Sequence, residues 1–267
     1  MHLRESSEAL TSRANGLVKQ MVAVRKSARE RRESGLFFLE GARLCADAAI
    51  SGTVVSVCLY TDAAFEKYAE QLAPILSCAE KAHRIVPELA AHLSETQSPQ
   101  GIFCLCRIPA RQAQIDPHGK YIALSGVQNP DNLGAISRTA EALGLDGLIV
   151  EGGCDLYNPK AQRAAMGSLL RLPVVQTDDL AALLADCRAR WMRTYASTPD
   201  GDALPVTDAD FSGGVVCAVG NEGAGLRPEL LDSCERITIP MRGRAESFNA
   251  SAAAAILLWE MVREAST

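Results

Sequence analysis

The chain has 267 residues, 48% of them hydrophobic and 22% charged, with a formal net charge of -5 at pH 7. That length allows one large domain or two modest ones, and the composition is neither disordered nor fibrous. The negative balance excludes indiscriminate nucleic-acid binding over the whole surface, although a local basic patch would still serve a specific partner. No apolar run approaches the roughly 20 residues that span a bilayer. The opening stretch Met1 to Glu8 carries acids and has no apolar signal core. Nine scattered cysteines, odd in number, read as reduced and mostly buried thiols of a cytoplasmic protein. Cys104 and Cys106 are too close together for a zinc knuckle, and no histidine cluster accompanies them, so no metal site is expected.

Ser12 to Glu33 has helical character and is basic: Arg13, Lys19, Arg25, Lys26, Arg29, Arg31 and Arg32 lie along it, while Leu17, Val18, Met21, Val22 and Val24 form one apolar stripe. A run of this kind is ordinarily a solvated helix face. With few acids interspersed it is equally the footprint of a nucleic-acid contact. Gly35 ends the helix. Strands are then expected at Leu36 to Leu39, Val54 to Tyr60, Arg84 to Val86 and Gly101 to Arg107. Helices are expected at Gly41 to Ile50, at Ala63 to Leu76 with a break at Pro74, and at Pro87 to Leu93. This alternation makes residues 1–107 a small α/β domain. Pro109 and Pro117, among polar residues, mark 108–119 as a linker, and 120–267 as a second domain.

The second domain opens on a buried strand, Tyr121 to Val127, followed by the turn residues Gln128-Asn-Pro-Asp-Asn and a helix from Leu133 to Leu143. Further strands are expected at Leu148 to Val150, Pro173 to Val175, Trp191 to Ala196, Val215 to Val219 and Ile237 to Ile239. Helices are expected at Pro159 to Leu170 and Asp178 to Ala189, with an Ala-rich one closing the chain. The alternation implies a mostly parallel sheet covered on both faces. Ligands bind beyond the carboxyl ends of such strands, so the loops after Val127, Val219 and Ile239 are the places to look.

Three loops there carry chemistry. In the first, Asn132 suits a helix entry and Arg138 follows about two turns on, among apolar Ala135, Ile136 and Ala140. A guanidinium there suits a phosphate or carboxylate. In the second, Gly220, Gly223 and Gly225 follow directly on a buried strand and hold Glu222 between them. The glycine order is not that of a dinucleotide fingerprint, and no Walker Lys-Ser/Thr follows. In the third, Glu246, Ser247, Asn249 and Ser251 crowd the entry of the Ala-rich helix, where capping needs one such residue. All four histidines fall outside these loops, which argues against a hydrolase triad and a His general base.

Taken together, Asn132-Leu-Gly-Ala-Ile-Ser-Arg138, Gly220-Asn-Glu222-Gly-Ala-Gly-Leu, and Ile239-Pro-Met with Glu246-Ser247-Phe248-Asn249-Ala-Ser251 resemble the SpoU (TrmH) family of RNA ribose 2'-O-methyltransferases, in the SPOUT superfamily. Arg163 to Pro173 looks like the family's intermediate segment. The N-terminal part, with Leu39-Glu-Gly-Ala-Arg43, resembles its ribosomal-protein-like substrate-binding domain. The resemblance implies a C-terminal SPOUT-type α/β domain with a mostly parallel sheet and a deep trefoil knot, preceded by a small α/β substrate-binding domain. It implies a homodimer and the cofactor S-adenosyl-L-methionine, held largely by backbone groups at Gly220, Ile239 and Phe248. Phe248 stands where the family usually has Leu.

Catalytic roles carry over to Asn132, Arg138, Glu222, Ser247 and Asn249. The resemblance also casts Arg138 as a base; an arginine side chain gives up its proton too reluctantly for that role, and its planar fork suits it instead to clamp the substrate phosphate and stabilise developing alkoxide. Glu222 is then expected to orient Arg138, and Ser247 and Asn249 to bond the nucleotide or the loop. Ribosomal RNA is the first expectation for substrate and transfer RNA the second. A non-catalytic RNA-binding protein of the same fold and a nucleotide-binding Rossmann enzyme are the competing readings. The glycine order disfavours the Rossmann reading, and the intact Arg138, Glu222 and Asn249 set speaks against the non-catalytic one.

Overall fold

The structure, a computed structural model, describes residues 8–110 and 113–263. The acidic opening stretch up to Ser7, with His2, and the final Glu264 of the Ala-rich helix fall outside those residues. The chain divides into two compact units, Met1–Ala110 with Tyr157–Arg163, and Arg111–Leu156 with Ala164–Thr267.

The first unit contains α1 (Gly16–Lys26), α2 (Ala28–Ser34), β1 (Leu36–Glu40), α3 (Ala42–Ile50), β2 (Val55–Tyr60), α4 (Asp62–Lys67), α5 (Ala69–Cys78), β3 (Lys81–Arg84), α6 (Pro87–Leu93) and β4 (Ile102–Arg107). The sheet order is β1-β4-β2-β3; β4 is antiparallel to β1 and β2, and β3 is parallel to β2. Val18, Met21, Phe38, Leu59, Leu89 and Phe103 share one core, which is why the apolar stripe of α1 is pinned to the sheet.

The basic segment differs from its expectation in two ways. It is two helices, because Ser27 takes an extended conformation, closes α1 and caps α2 through a hydrogen bond from the Glu30 N–H to its hydroxyl. Two of its arginines are also buried. Arg25 donates to carbonyls at the end of α6, including that of Ser94 at 3.0 Å. Arg31 donates to the Val24 and Arg25 carbonyls at 2.7 and 3.0 Å. Both satisfy orphan carbonyls at helix C-termini, so they are structural. Arg13, Lys19, Lys26, Arg29 and Arg32 remain exposed. Pro74 does not break its helix; the break falls at Tyr68, which leaves the helical region between α4 and α5. The strand expected at Arg84 to Val86 is Lys81–Arg84, in register with Val57 to Tyr60.

The second part of the chain runs β5 (Lys120–Ser125), α7 (Pro130–Ala142), β6 (Gly147–Glu151), α8 (Pro159–Ala165), α9 (Ser168–Arg171), β7 (Val174–Thr177), α10 (Leu180–Ala189), β8 (Arg193–Ser197), β9 (Leu204–Pro205), β10 (Val215–Val219), α11 (Pro228–Ser233), β11 (Glu235–Thr238) and α12 (Ala250–Arg263). Seven strands in the order β7-β6-β5-β10-β8-β11-β9 form one sheet, and every pairing in it is parallel. β10 is buried throughout and β5 is buried after Lys120, as a sheet covered on both faces requires. The helix expected over Pro159 to Leu170 is interrupted where Met166 and Gly167 take φ of 51° and 88°. β9 and α11 are too short to leave a periodic pattern in the sequence: one is a two-residue strand and the other a six-residue helix.

Chain order reverses between β5 and β10, since β6 lies to one side of β5 and β8 to the other side of β10. The loops after these two strands therefore flank a crevice at the strand ends. The helix bordering that crevice, α7, is tightly seated. A Cβ on Gly134 would lie 2.4 Å from the Ala164 Cβ, and the Ser137 and Ser168 hydroxyls hydrogen-bond at 2.9 Å in the interior.

Candidate active site

Loops from three strand ends line a cavity of about 360 Å³. Ser197, Thr198 and Pro199 come from the end of β8. Residues 220–226 follow β10, and Ile239, Met241, Glu246, Ser247, Phe248, Ala250 and Ala253 follow β11. The volume lies in the range of small-molecule sites.

The glycine loop is built by backbone chemistry. Asn221 and Gly225 exchange two backbone hydrogen bonds, at 3.1 and 2.9 Å. Gly225 has a φ of 68°, a region costly for L side chains. Chain folds back on chain so closely that a Cβ on Gly220 would sit 2.2 Å from the Gly225 carbonyl carbon. The Asn221 side chain accepts from the Gly223 and Ala224 N–H groups and donates to the Gly126 carbonyl at 2.9 Å, joining this loop to the one after β5.

Glu222 supplies the second joint. Its Oε1 accepts from the Asn129 N–H at 3.2 Å and from Asn132 Nδ2 at 2.9 Å, and its Oε2 accepts from the Gln128 N–H at 3.2 Å. The carboxylate thus sits at the entry of α7, where unpaired N–H groups and the helix dipole favour negative charge. Burial by itself raises its pKa. The Asn132 amide and the backbone N–H groups outweigh burial, and the carboxyl titrates below its ordinary value.

The third joint runs through the amides. Asn132 is buried and its Nδ2 faces Glu222, so its Oδ1 is free to accept from Asn249 Nδ2 at 3.2 Å. Asn249 Oδ1 in turn accepts from the Ser251 N–H and hydroxyl at 2.9 and 2.7 Å. Asn249 is therefore the cap of α12, and one chain of hydrogen bonds crosses from α12 through α7 to the glycine loop.

Of the residues expected at the site, Gly220, Glu222, Ile239, Ser247 and Phe248 line the cavity, and Asn132 and Asn249 form the hydrogen-bonded wall beside Glu222. Ser247 has no hydrogen-bond partner among the described residues and faces the cavity with its hydroxyl uncommitted. Asn249 bonds Asn132 of α7 through its Nδ2 and Ser251 of α12 through its Oδ1, so within the chain its amide joins two helices. Arg138 is placed elsewhere. It is exposed and lines a separate cavity with Ala135, Thr139, Ala142, Leu143, Ala164, Ala255 and Trp259. The expected Glu222–Arg138 pairing does not form within the chain, because all of the carboxylate's hydrogen bonds come from the α7 entry. The wall formed by Ser197, Thr198 and Pro199 carries no motif of its own; the strand-end rule applied to β8 locates it. Among the described residues no group of three or more His, Cys, Asp or Glu side chains is placed to hold a metal ion.

Comparison with known proteins agrees with this geometry. Residues 119–259 match the model of the SpoU rRNA Methylase family, and residues 15–104 match an MRM3-like substrate binding domain. A 23S rRNA (guanosine(2553)-2'-O)-methyltransferase of Bacillus subtilis (strain 168) is 30% identical over 87% of this chain and 91% of its own. A 23S rRNA (uridine(2479)-2'-O)-methyltransferase of Streptomyces viridochromogenes is 31% identical over 97% of this chain and 93% of its own. The crystal structure of an AdoMet-bound rRNA methyltransferase from Sinorhizobium meliloti superposes with a TM-score of 0.85 at 27% identity, covering 96% of this chain and 98% of that one. The parallel sheet, the glycine loop joined to α7 and the family match over more than half of the sequence together establish that this chain belongs to the SpoU rRNA methylase family.

Proposed function

We propose that this chain transfers a methyl group from S-adenosylmethionine to a ribose 2'-hydroxyl of structured RNA, with ribosomal RNA as the substrate. The observation that carries this reading is the construction of the cavity. Backbone-rich loops from adjacent strand ends enclose it, and a hydrogen-bonded chain of Glu222, Asn132 and Asn249 stands beside it. The residues present fit the cofactor. Gly220 leaves room for backbone only, Leu226, Leu231, Ile239 and Met241 offer apolar contact, and Thr198 and Ser247 offer hydroxyls. When bound, the cofactor supplies an electrophilic methyl group; everything else falls to the chain.

Glu222, ionised and held by three donors, fixes the glycine loop against α7, and Asn132 and Asn249 fix α7 against α12. Preorganised groups of this kind position reactants with no rearrangement during reaction. Ser247 has its hydroxyl free to bond the incoming ribose. Arg138, always charged, clamps the phosphate and stabilises developing alkoxide, with the hydroxyl proton passing to water.

Arg138 lies on a face built by α7 and α12, beside Trp259 of α12, a large side chain more than half exposed, and the small Ala135 of α7 and Ala255 of α12. We infer that a second copy of the chain covers this face and brings each Arg138 to its partner's cavity. The trefoil knot implied by the family belongs to the same reading. Its support is that β11 enters the sheet between β8 and β9 while α12 returns to pack on α7. We place the protein in the cytoplasm with its ribosomal substrate; no helix among the described residues is long and apolar enough to cross a membrane.

Three measurements test the proposal. Purified protein with labelled S-adenosylmethionine should methylate ribosomal RNA, and ribose-methylation mapping should lose one 2'-O-methyl signal when the gene is removed. Cofactor binding without any methyl incorporation would make it a non-catalytic RNA-binding protein. Mixing equal amounts of inactive Arg138→Ala and Asn249→Ala chains should restore about a quarter of wild-type activity if a two-fold dimer shares its sites. No recovery would confine Arg138 to its own chain.

A further inference from the structure

We propose that Arg227 and Glu151 form a positioning pair that sets the exit of the glycine loop and thereby the affinity of the cavity for S-adenosylmethionine. The proposal rests on the cofactor reading above.

Glu151 ends β6, and its side chain is 11% exposed. Its Oε1 accepts from Arg227 Nη2 at 2.7 Å and from the Leu180 N–H at 2.8 Å, and its Oε2 accepts from the Ser125 hydroxyl at 2.7 Å. Its backbone carbonyl accepts from the Gly126 N–H at 2.8 Å. One residue thus gathers the ends of β5 and β6, the first turn of α10 and the side chain of Arg227.

Arg227 stands at a junction in the cavity wall. It directly follows Leu226, which lines the cavity, and its carbonyl accepts from the Leu230 and Leu231 N–H groups as the cap of α11. Leu231 lines the cavity as well. The guanidinium therefore holds the point from which two apolar contacts of the wall depart.

The glycine loop is fixed at its start by Asn221, in its middle by Glu222 and at its exit by Arg227. The first two joints bind it to the loop after β5 and to the entry of α7. The Arg227 joint ties the loop's exit, through Glu151, to the ends of β5 and β6 and the first turn of α10, and Arg227 itself adjoins the apolar wall of the cavity. Removing the guanidinium leaves a nearly dry carboxylate with two donors in place of three, and such a site relaxes by moving the backbone or admitting water. Lysine keeps the charge but loses the planar fork.

The experiment uses the full chain and the variants Arg227→Ala, Arg227→Lys and Glu151→Gln. Calorimetry measures S-adenosylmethionine affinity, methyl transfer gives KM and kcat, and amide hydrogen exchange is followed without ligand. Arg227→Ala should weaken cofactor binding and raise its KM about tenfold, leave kcat at saturation within about twofold, and speed exchange over residues 220–231 but not in β5 or β10. Arg227→Lys should recover part of both effects, and Glu151→Gln should reproduce Arg227→Ala. Cofactor affinity within twofold of wild type in Arg227→Ala, or unchanged exchange over 220–231, overturns the pair. Should Arg227→Ala fail to fold, Arg227→Lys carries the same comparison with a smaller change. Should the wild-type chain bind no S-adenosylmethionine, the cofactor reading falls, and exchange over 220–231 alone decides whether the pair positions the loop.

Discussion

Asn249 donates its side-chain amide to the side-chain carbonyl of Asn132 at 3.2 Å, joining residues 117 positions apart in sequence. Asn132 in turn donates to Glu222, so the orientation of each amide is set by its neighbour. Asn132→Asp removes the donor and places a second carboxylate against Glu222. A lost hydrogen bond to a charged group is worth about 1.5–3 kcal/mol, before any repulsion. Methyl transfer should fall at least about tenfold in kcat/KM; wild-type kinetics in Asn132→Asp would remove the amide chain from the mechanism.

Gly220→Ala tests the close approach of backbone to backbone. The added methyl would stand 2.2 Å from the Gly225 carbonyl carbon, and no flexible side chain lies there to give way. Overpacking of this kind costs about 1–3 kcal/mol. The loop should open and S-adenosylmethionine binding should drop beyond calorimetric detection, while far-ultraviolet circular dichroism stays unchanged. Gly223→Ala, whose nearest neighbour would be 3.7 Å away, should bind nearly as wild type.

Glu222 gives the site an acid limit. Its folded-state pKa lies below the ordinary value, so its stabilisation is complete above the unfolded pKa of about 4.3 and fades as pH falls through the folded one. Wild type and Glu222→Gln should differ in stability by a constant amount above about pH 5, with the gap closing below about pH 4. Urea titrations at several pH values measure this; a gap that widens in acid would mean the carboxyl is not held ionised.

Arg138 is expected to act on turnover and not on cofactor binding, because it lies outside the glycine-loop cavity. Arg138→Ala should bind S-adenosylmethionine as wild type does and lose at least about a hundredfold in kcat. Arg138→Lys should remain well below wild type, since an ammonium lacks the bidentate fork. Near-full activity in the lysine variant would rule out the clamp.

The thiols should titrate in three classes. Cys78 is exposed, Cys154 and Cys234 are partly covered, and the remaining six are buried. Burial pushes the Cys217 thiol up to about 12 and raises Cys45 and Cys106 as well. An aromatic disulfide reagent at pH 8 should modify Cys78 first and the six only after denaturation. Rapid modification of all nine in native protein would contradict the fold.

Much of this protein is legible in its sequence. Strand runs such as Val215 to Val219 carry their burial in composition, and the three polar loops stand where strands stop. The order of elements gave the parallel sheet, and the loop motifs gave the family. Local rules misplaced features decided by packing. Ser27 splits a helix whose pattern runs on, and Arg25 and Arg31 leave the basic surface to serve helix ends. The site's connections were beyond reach for the same reason. Nothing local pairs Asn132 with Asn249, or sends Glu222 to the entry of α7 in place of Arg138. Residue types and their spacing determined which chemistry the chain carries. Only the tertiary structure decided which groups meet, because hydrogen bonds between residues some 90 to 117 positions apart depend on how parallel strands bring their ends together.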